Sequence, residues 1–105
     1  TGLGDLQDLW QPAVLRLLHM VGDAGRRAGK PVGVCGEAAA DPALAAVLVG
    51  LGVTSLSMAL RALEPVRREL ARVTIEDCRR AAEAALMSSD PAAASAEVSR
   101  LLAMR

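Results

Sequence analysis

The sequence predicts an α/β fold in which two short parallel strands lie within a mostly helical chain. Two runs of small or β-branched residues, Val32–Glu37 and Val53–Met58, each stand between longer segments with helical periodicity. Strands that are joined through a helix pair in parallel. The 105 residues correspond to one domain at most, and 52% of them are apolar, which predicts a folded chain.

The first helix is predicted to open at Pro12 and to end at Gly29, after a loop over residues 1–11. Proline is favoured at the first helical position, and glycine is favoured just past the last one. We expect one apolar face of this helix to turn inward, formed by Val14, Leu17, Leu18, Val21 and Ala28.

The first strand is predicted to be short and buried, because Val32 and Val34 alternate with period two. It presents Cys35 at its carboxyl end, between Gly33 and Gly36. Gly36 lets the chain leave the strand at torsion angles that other residues avoid. Ligands of α/β proteins bind at this end of the strands, so Cys35 is the leading candidate for a functional residue.

After the first strand, the chain is predicted to form a helix, the second strand and then only helices. Asp41 is predicted to cap a helix that runs from Pro42 to about Val49, and Thr74 is predicted to cap a later one. After the second strand, helices are predicted over about Leu60–Val73, Thr74–Met87 and Ala92–Ala103.

Two parallel strands alone would expose two edges and two apolar faces. The pattern therefore predicts the C-terminal quarter of a (β/α)8 barrel, which needs ~250 residues in all, with extra C-terminal helices. The barrel part is placed at about residues 1–73, and the helical extension at about 74–105. The chain is expected to be a piece of a longer polypeptide, and the uncovered surface predicts a homo-oligomer, most simply a two-fold dimer.

Composition narrows the class of partner. The 12 basic and 12 acidic residues leave no formal net charge, which argues against nucleic acid and anionic membranes. No apolar run is long enough to insert into a bilayer, and two widely spaced cysteines suit a reducing compartment, so a cytoplasmic location is expected.

The Cys35 thiol has three possible roles: a small buried apolar group, a nucleophile or a proton donor. A nucleophile needs a nearby base, whereas His19 lies on a helix with no motif around it. Cys78 stands on an exposed-looking helix and is expected to be incidental. Two cysteines and one histidine at these spacings form no metal pattern.

Three further residues near the strand ends are weaker candidates. Glu37 either assists the chemistry at the pocket rim or caps a backbone turn, and the structural role is favoured. Ser55 and Ser57 alternate on the second strand and therefore share one face. They either contact a ligand or fill a barrel interior, and the second interpretation is the safer one.

Several motifs resemble the closing segment of the phosphoenolpyruvate-utilising enzymes. These are Gly33-Val-Cys-Gly-Glu37, Asp41-Pro42, Val49-Gly-Leu-Gly-Val53 and Ser55-Leu-Ser-Met58. The region from Trp10 to Leu18 and the tail from Val73 to Leu86 resemble, within that family, Enzyme I of the bacterial sugar phosphotransferase system.

This resemblance implies an enzyme in which phosphoenolpyruvate phosphorylates a histidine on a separate N-terminal domain, which then passes the group to the carrier protein HPr. Cys35 would protonate C3 of the remaining enolate to give pyruvate, with Gly36 and Glu37 at the pocket rim. The resemblance places Mg²⁺ ligands and phosphate-binding arginines on earlier barrel strands, outside this chain. The chain by itself is therefore expected to be inactive and to bind no metal.

Two alternatives stay open. The chain is also compatible with a helical dimerisation or interaction module in which Cys35 is merely buried. It is equally compatible with the matching segment of a pyruvate phosphate dikinase or phosphoenolpyruvate synthase relative.

Overall fold

The computed structural model describes residues 9–104, and this part of the chain is mostly helical with two parallel strands. The helices are α1 (Pro12–Ala28), α2 (Glu37–Ala40), α3 (Pro42–Gly50), α4 (Leu60–Arg72), α5 (Ile75–Met87) and α6 (Pro91–Ala103). The strands are β1 (Gly33–Cys35) and β2 (Ser55–Ser57). Most of the loop predicted over residues 1–11 lies outside the described residues.

The predicted cap of α3 is confirmed. The Asp41 carboxylate accepts hydrogen bonds from the backbone N–H groups of Ala43 at 3.1 Å and Leu44 at 3.3 Å. The same carboxylate accepts the indole N–H of Trp10 at 3.2 Å. One side chain thus satisfies the free amides at the start of α3 and ties the segment before α1 to it.

The predicted cap of α5 is also confirmed, and it extends to a capping box. Thr74 Oγ1 accepts the N–H of Asp77 at 3.1 Å, while the Asp77 carboxylate accepts the N–H of Thr74 at 2.9 Å. Asp77 is buried, and Arg80 pairs with it at 2.6 Å. The start of α5 is therefore fixed against the core.

The two strands pair in parallel, as predicted, with Gly33 opposite Ser55, Val34 opposite Leu56 and Cys35 opposite Ser57. Val34 and Leu56 turn to one face and pack against the core. The other four residues lie on the opposite face and are exposed. The prediction of a buried first strand was wrong for this face, because no described element packs over it.

The core is built around α3, where Leu44, Val47 and Leu48 are buried against α5 and α6. Alanines of α5 and Val98 of α6 complete it. Helices α3 and α5 approach closely because Gly50 has no side chain. A Cβ atom at this position would lie 2.1 Å from the Cys78 carbonyl oxygen.

Helix α1 turns a largely different face inward from the one predicted, although Leu18 packs against the core as expected. Leu15, Gly22 and Gly25 are buried, whereas Leu17 is 63% and Val21 is 53% exposed. The reason is again close approach, since a Cβ on Gly22 would lie 2.1 Å from the Leu51 carbonyl oxygen. Gly22 packs on the turn before β2 and Gly25 on the segment before β1, while Leu17 and Val21 stay exposed.

The one-turn helix α2, Glu37–Ala40, was not predicted. Four residues are too few to show helical periodicity, and the sequence carries no capping signal at Gly36, whose side chain is absent. Within residues 9–104, every helix is too short or too polar to cross a membrane.

Candidate functional site

The end of β1 places the Cys35 thiol on the surface. The next residue, Gly36, has φ +95° and ψ −151°, a backbone region that only glycine adopts readily, as the sequence predicted. Its N–H donates a hydrogen bond of 3.0 Å to the Ser57 carbonyl oxygen. The path of the chain after the thiol is therefore fixed by the neighbouring strand.

Four residues, Gly33, Cys35, Ser55 and Ser57, form what we call the open sheet face. Register partners on parallel strands point the same way across a strand spacing of about 4.8 Å, so Cys35 and Ser57 are neighbours on this face. A Cβ on Gly33 would lie 2.9 Å from Ser55 Oγ. Glycine at position 33 thus leaves room for the Ser55 side chain on this face.

Glu37 lies two residues beyond the thiol, at the first position of α2, and is exposed. The N-cap residue of this helix is Gly36, which has no side chain, so the turn-capping role favoured for Glu37 stays a prediction. Its carboxylate lies on the first turn of α2, directly after the carboxyl end of β1. Gly36 and Glu37 remain predictions as pocket-rim residues.

His19 is not brought to Cys35. It is an exposed residue of α1, and it lines an open cavity of about 710 Å³ between α1 and α5, with the turn at Gly50–Thr54 along one wall. That turn precedes β2, so the cavity lies at the amino end of the strand, away from the thiol. Asp23 and Arg26 in its wall pair with each other, which is typical of a solvated seam between helices.

Cys78 lies in the core, which corrects the prediction that it is on an exposed surface. Only 3% of the residue is accessible, because it lies on the face of α5 that packs against Gly50. The neighbouring Arg79 and Arg80 point outward, and their charge was the misleading signal in the sequence. Burial raises the pKa of the Cys78 thiol, and the nearby Asp77 carboxylate adds to the shift.

The described residues contain no group of three His, Cys, Asp or Glu side chains that could hold a metal ion. What the open sheet face offers is an accessible thiol, a serine hydroxyl beside it and space above both. A thiol in such a place can deliver a proton to one face of a flat ligand.

Comparison with protein families gives the class of this chain. Residues 2–75 match the PEP-binding domain of the PEP-utilising enzymes. The chain therefore belongs to this family, and the matched region includes both strands and the Cys35 turn.

Three of the relatives carry the same protein name, and the resemblance noted in the sequence is confirmed. A phosphoenolpyruvate-protein phosphotransferase of Streptomyces coelicolor is 59% identical over 80 residues, which are 76% of this chain and 14% of that protein. Its counterpart in Geobacillus stearothermophilus is 40% identical over 77 residues, 73% of this chain and 13% of that protein. The Haloferax volcanii protein of the same name is 37% identical over 102 residues, 97% of this chain and 17% of that protein. The chain thus spans only a small part of the length of these relatives.

Proposed function

We propose that this chain is a C-terminal segment of a phosphoenolpyruvate-protein phosphotransferase and that Cys35 protonates the enolate formed there. The observation that carries the proposal is the exposed thiol at the carboxyl end of β1, within the region that matches the PEP-binding family. Two observations favour a phosphotransferase over a dikinase or synthase as the whole protein. The relatives carry the phosphotransferase name, and the Haloferax volcanii match covers 97% of the chain.

The proposed step is a single proton transfer. After the phosphoryl group has left, the S–H bond of Cys35 breaks and a C–H bond forms at C3 of the enolate. The negative charge leaves the enolate oxygen as the ketone of pyruvate forms, and the thiolate then takes a proton from water. An ordinary thiol is protonated at neutral pH, so it can serve as the acid.

The open sheet face supports a barrel setting for this step. In a (β/α)8 barrel the inward side chains of neighbouring strands lie side by side, and substrates bind at the carboxyl ends. Cys35 and Ser57 have this arrangement on β1 and β2. We propose that the remaining strands come from polypeptide outside this chain, with the barrel part at about residues 1–73 and a helical extension at about 74–105.

The family implies a bound Mg²⁺ ion, but residues 9–104 alone do not provide a site for it, since they hold no cluster of metal ligands. We place its ligands, the phosphate-binding arginines and the phosphorylated histidine in the rest of the protein. Phosphoenolpyruvate, pyruvate and HPr are the partners proposed for the whole protein, in the cytoplasm, where thiols stay reduced.

The test is steady-state pyruvate formation by the protein from the complete reading frame. Cys35→Ala is expected to lower the rate 10²–10⁴-fold, roughly the contribution of a general acid, while phosphoenolpyruvate binding is retained. Cys78→Ala, which removes the buried thiol of α5, serves as the control and should retain activity. A Cys35→Ala rate within about threefold of wild type would exclude the proton-donor role.

A further inference from the structure

The backbone and the side chain of Ser57 make different contacts. Its carbonyl oxygen accepts the Gly36 N–H at 3.0 Å and so holds the turn that follows the thiol. Its side chain is exposed on the open sheet face, directly opposite Cys35 in the register. Within residues 9–104 the hydroxyl has no hydrogen-bond partner, so it is free to donate to a ligand.

The position of the thiol restricts where a substrate oxygen can lie. If C3 of the substrate is in contact with the Cys35 thiol, the oxygen on C2 is only two covalent bonds away. The neighbouring strand lies about 4.8 Å from β1, and Ser57 is the residue on it that is level with Cys35. We therefore expect a hydroxyl at this point to reach the C2 oxygen of a substrate bound across both strands.

We propose that Ser57 is a second catalytic residue, whose hydroxyl donates a hydrogen bond to the C2 oxygen of phosphoenolpyruvate. This inference rests on the proposed function. During phosphoryl transfer the bond between phosphorus and this oxygen breaks, the phosphoryl group passes to the histidine nitrogen, and the oxygen keeps the electron pair. The hydrogen bond strengthens as the charge develops, and no proton leaves Ser57.

The two side chains would therefore act in successive steps. Ser57 stabilises the enolate oxygen while the phosphoryl group leaves, and Cys35 then protonates C3. A change at Ser57 slows formation of the phosphorylated protein, whereas a change at Cys35 slows only the release of pyruvate.

Ser55 provides the matched control. It lies on the same face of the same strand, but it is level with Gly33 and not with the thiol. Its hydroxyl lies over the space where a Gly33 side chain would be. Ser55→Ala removes an equal amount of polarity from the open sheet face without removing the proposed contact.

The experiment measures single-turnover phosphorylation of the complete protein with ³²P-labelled phosphoenolpyruvate. Ser57→Ala should slow this step on the order of 10²-fold, as loss of a donor to a developing oxyanion does. Ser57→Thr, which keeps the hydroxyl, and Ser55→Ala should both stay close to wild type. Because alanine retains the carbonyl that binds Gly36, Ser57→Ala should keep its circular dichroism spectrum.

Two results would overturn the inference and leave the proposed function standing. If Ser57→Ala is phosphorylated as fast as wild type while Cys35→Ala still fails to release pyruvate, the Ser57 contact is wrong and the proposed function stands. If Ser57→Thr is as slow as Ser57→Ala, the hydroxyl is not responsible. Failure of the wild-type protein itself to accept phosphate from phosphoenolpyruvate would instead refute the proposed function, and this inference with it.

Discussion

Cys35 and Ser57 are register partners on two parallel strands, and the Ser57 carbonyl oxygen holds the N–H of the residue that follows Cys35. The thiol is therefore positioned from two sides, by its own strand and by the next one. This relationship makes the position of the thiol depend on the turn at Gly36.

Gly36→Ala should distort the site through the backbone alone. Within residues 9–104, and apart from the two chain neighbours, no atom lies within 4 Å of the position that a Cβ would take, so the penalty comes from φ +95° and ψ −151°. We expect a loss of about 1–3 kcal/mol in the free energy of unfolding, measured with urea, together with reduced pyruvate formation by the complete protein. Gly29→Ala is the control, because Gly29 also faces open space with positive φ but lies at the end of α1. Equal effects of both variants on activity would contradict the role of the Gly36 turn.

The features that were predicted from sequence are local. The cap residues Asp41 and Thr74, the positive φ of Gly36 and the shared face of Ser55 and Ser57 each follow from a few neighbouring residues. The sequence also placed Cys35 correctly at the carboxyl end of a strand.

The features that were missed depend on packing between distant segments. The inward face of α1 is set by the contact of Gly22 with the Leu51 carbonyl, and the burial of Cys78 is set by Gly50. Hydrophobic periodicity favours large apolar side chains for the buried face, so it does not detect helices that approach through glycine. The exposed face of β1 was missed because a short apolar run gives no sign of which face is covered.

Gly50→Ala should destabilise the core, because the added methyl group would lie 2.1 Å from the Cys78 carbonyl oxygen on α5. The helices must move apart, and overpacking of this kind typically costs about 1–3 kcal/mol. Chemical denaturation measures the change. Ser99→Ala, on the exposed side of α6, should stay within about 0.5 kcal/mol of wild type. An unchanged midpoint for Gly50→Ala would show that α3 and α5 do not pack as described.

Stability should fall at alkaline pH because of Cys78. Burial raises the pKa of its thiol in the folded chain. As the pH rises, the thiol of the unfolded chain therefore loses its proton at a lower pH than the thiol of the folded chain. Ionisation then favours unfolding, and this contribution to stability is present below the unfolded pKa and lost as pH rises towards the folded value. Unfolding free energies of wild type and Cys78→Ala across this range test the point. A pH dependence that is identical in the two proteins would refute it.

The chain by itself should self-associate. Leu17, Met20 and Val21 form an exposed apolar face on α1, and the strand edges lack further partners among the described residues. Sedimentation equilibrium should show a dimer or larger oligomer, weakened by Val21→Glu but not by Arg16→Glu on the same helix. A monomer that unfolds cooperatively would contradict the proposed origin of these strands in a barrel.

The most direct test of the account is a single-turnover comparison of wild type and Cys35→Ala in the complete protein, with phosphorylated protein and pyruvate measured in the same samples. Wild type should release pyruvate in step with phosphorylation. Cys35→Ala should become phosphorylated at a similar rate but release pyruvate 10²–10⁴-fold more slowly, roughly the effect of losing a general acid. Pyruvate release that keeps pace with phosphorylation in Cys35→Ala would contradict the assignment of Cys35 as the proton donor.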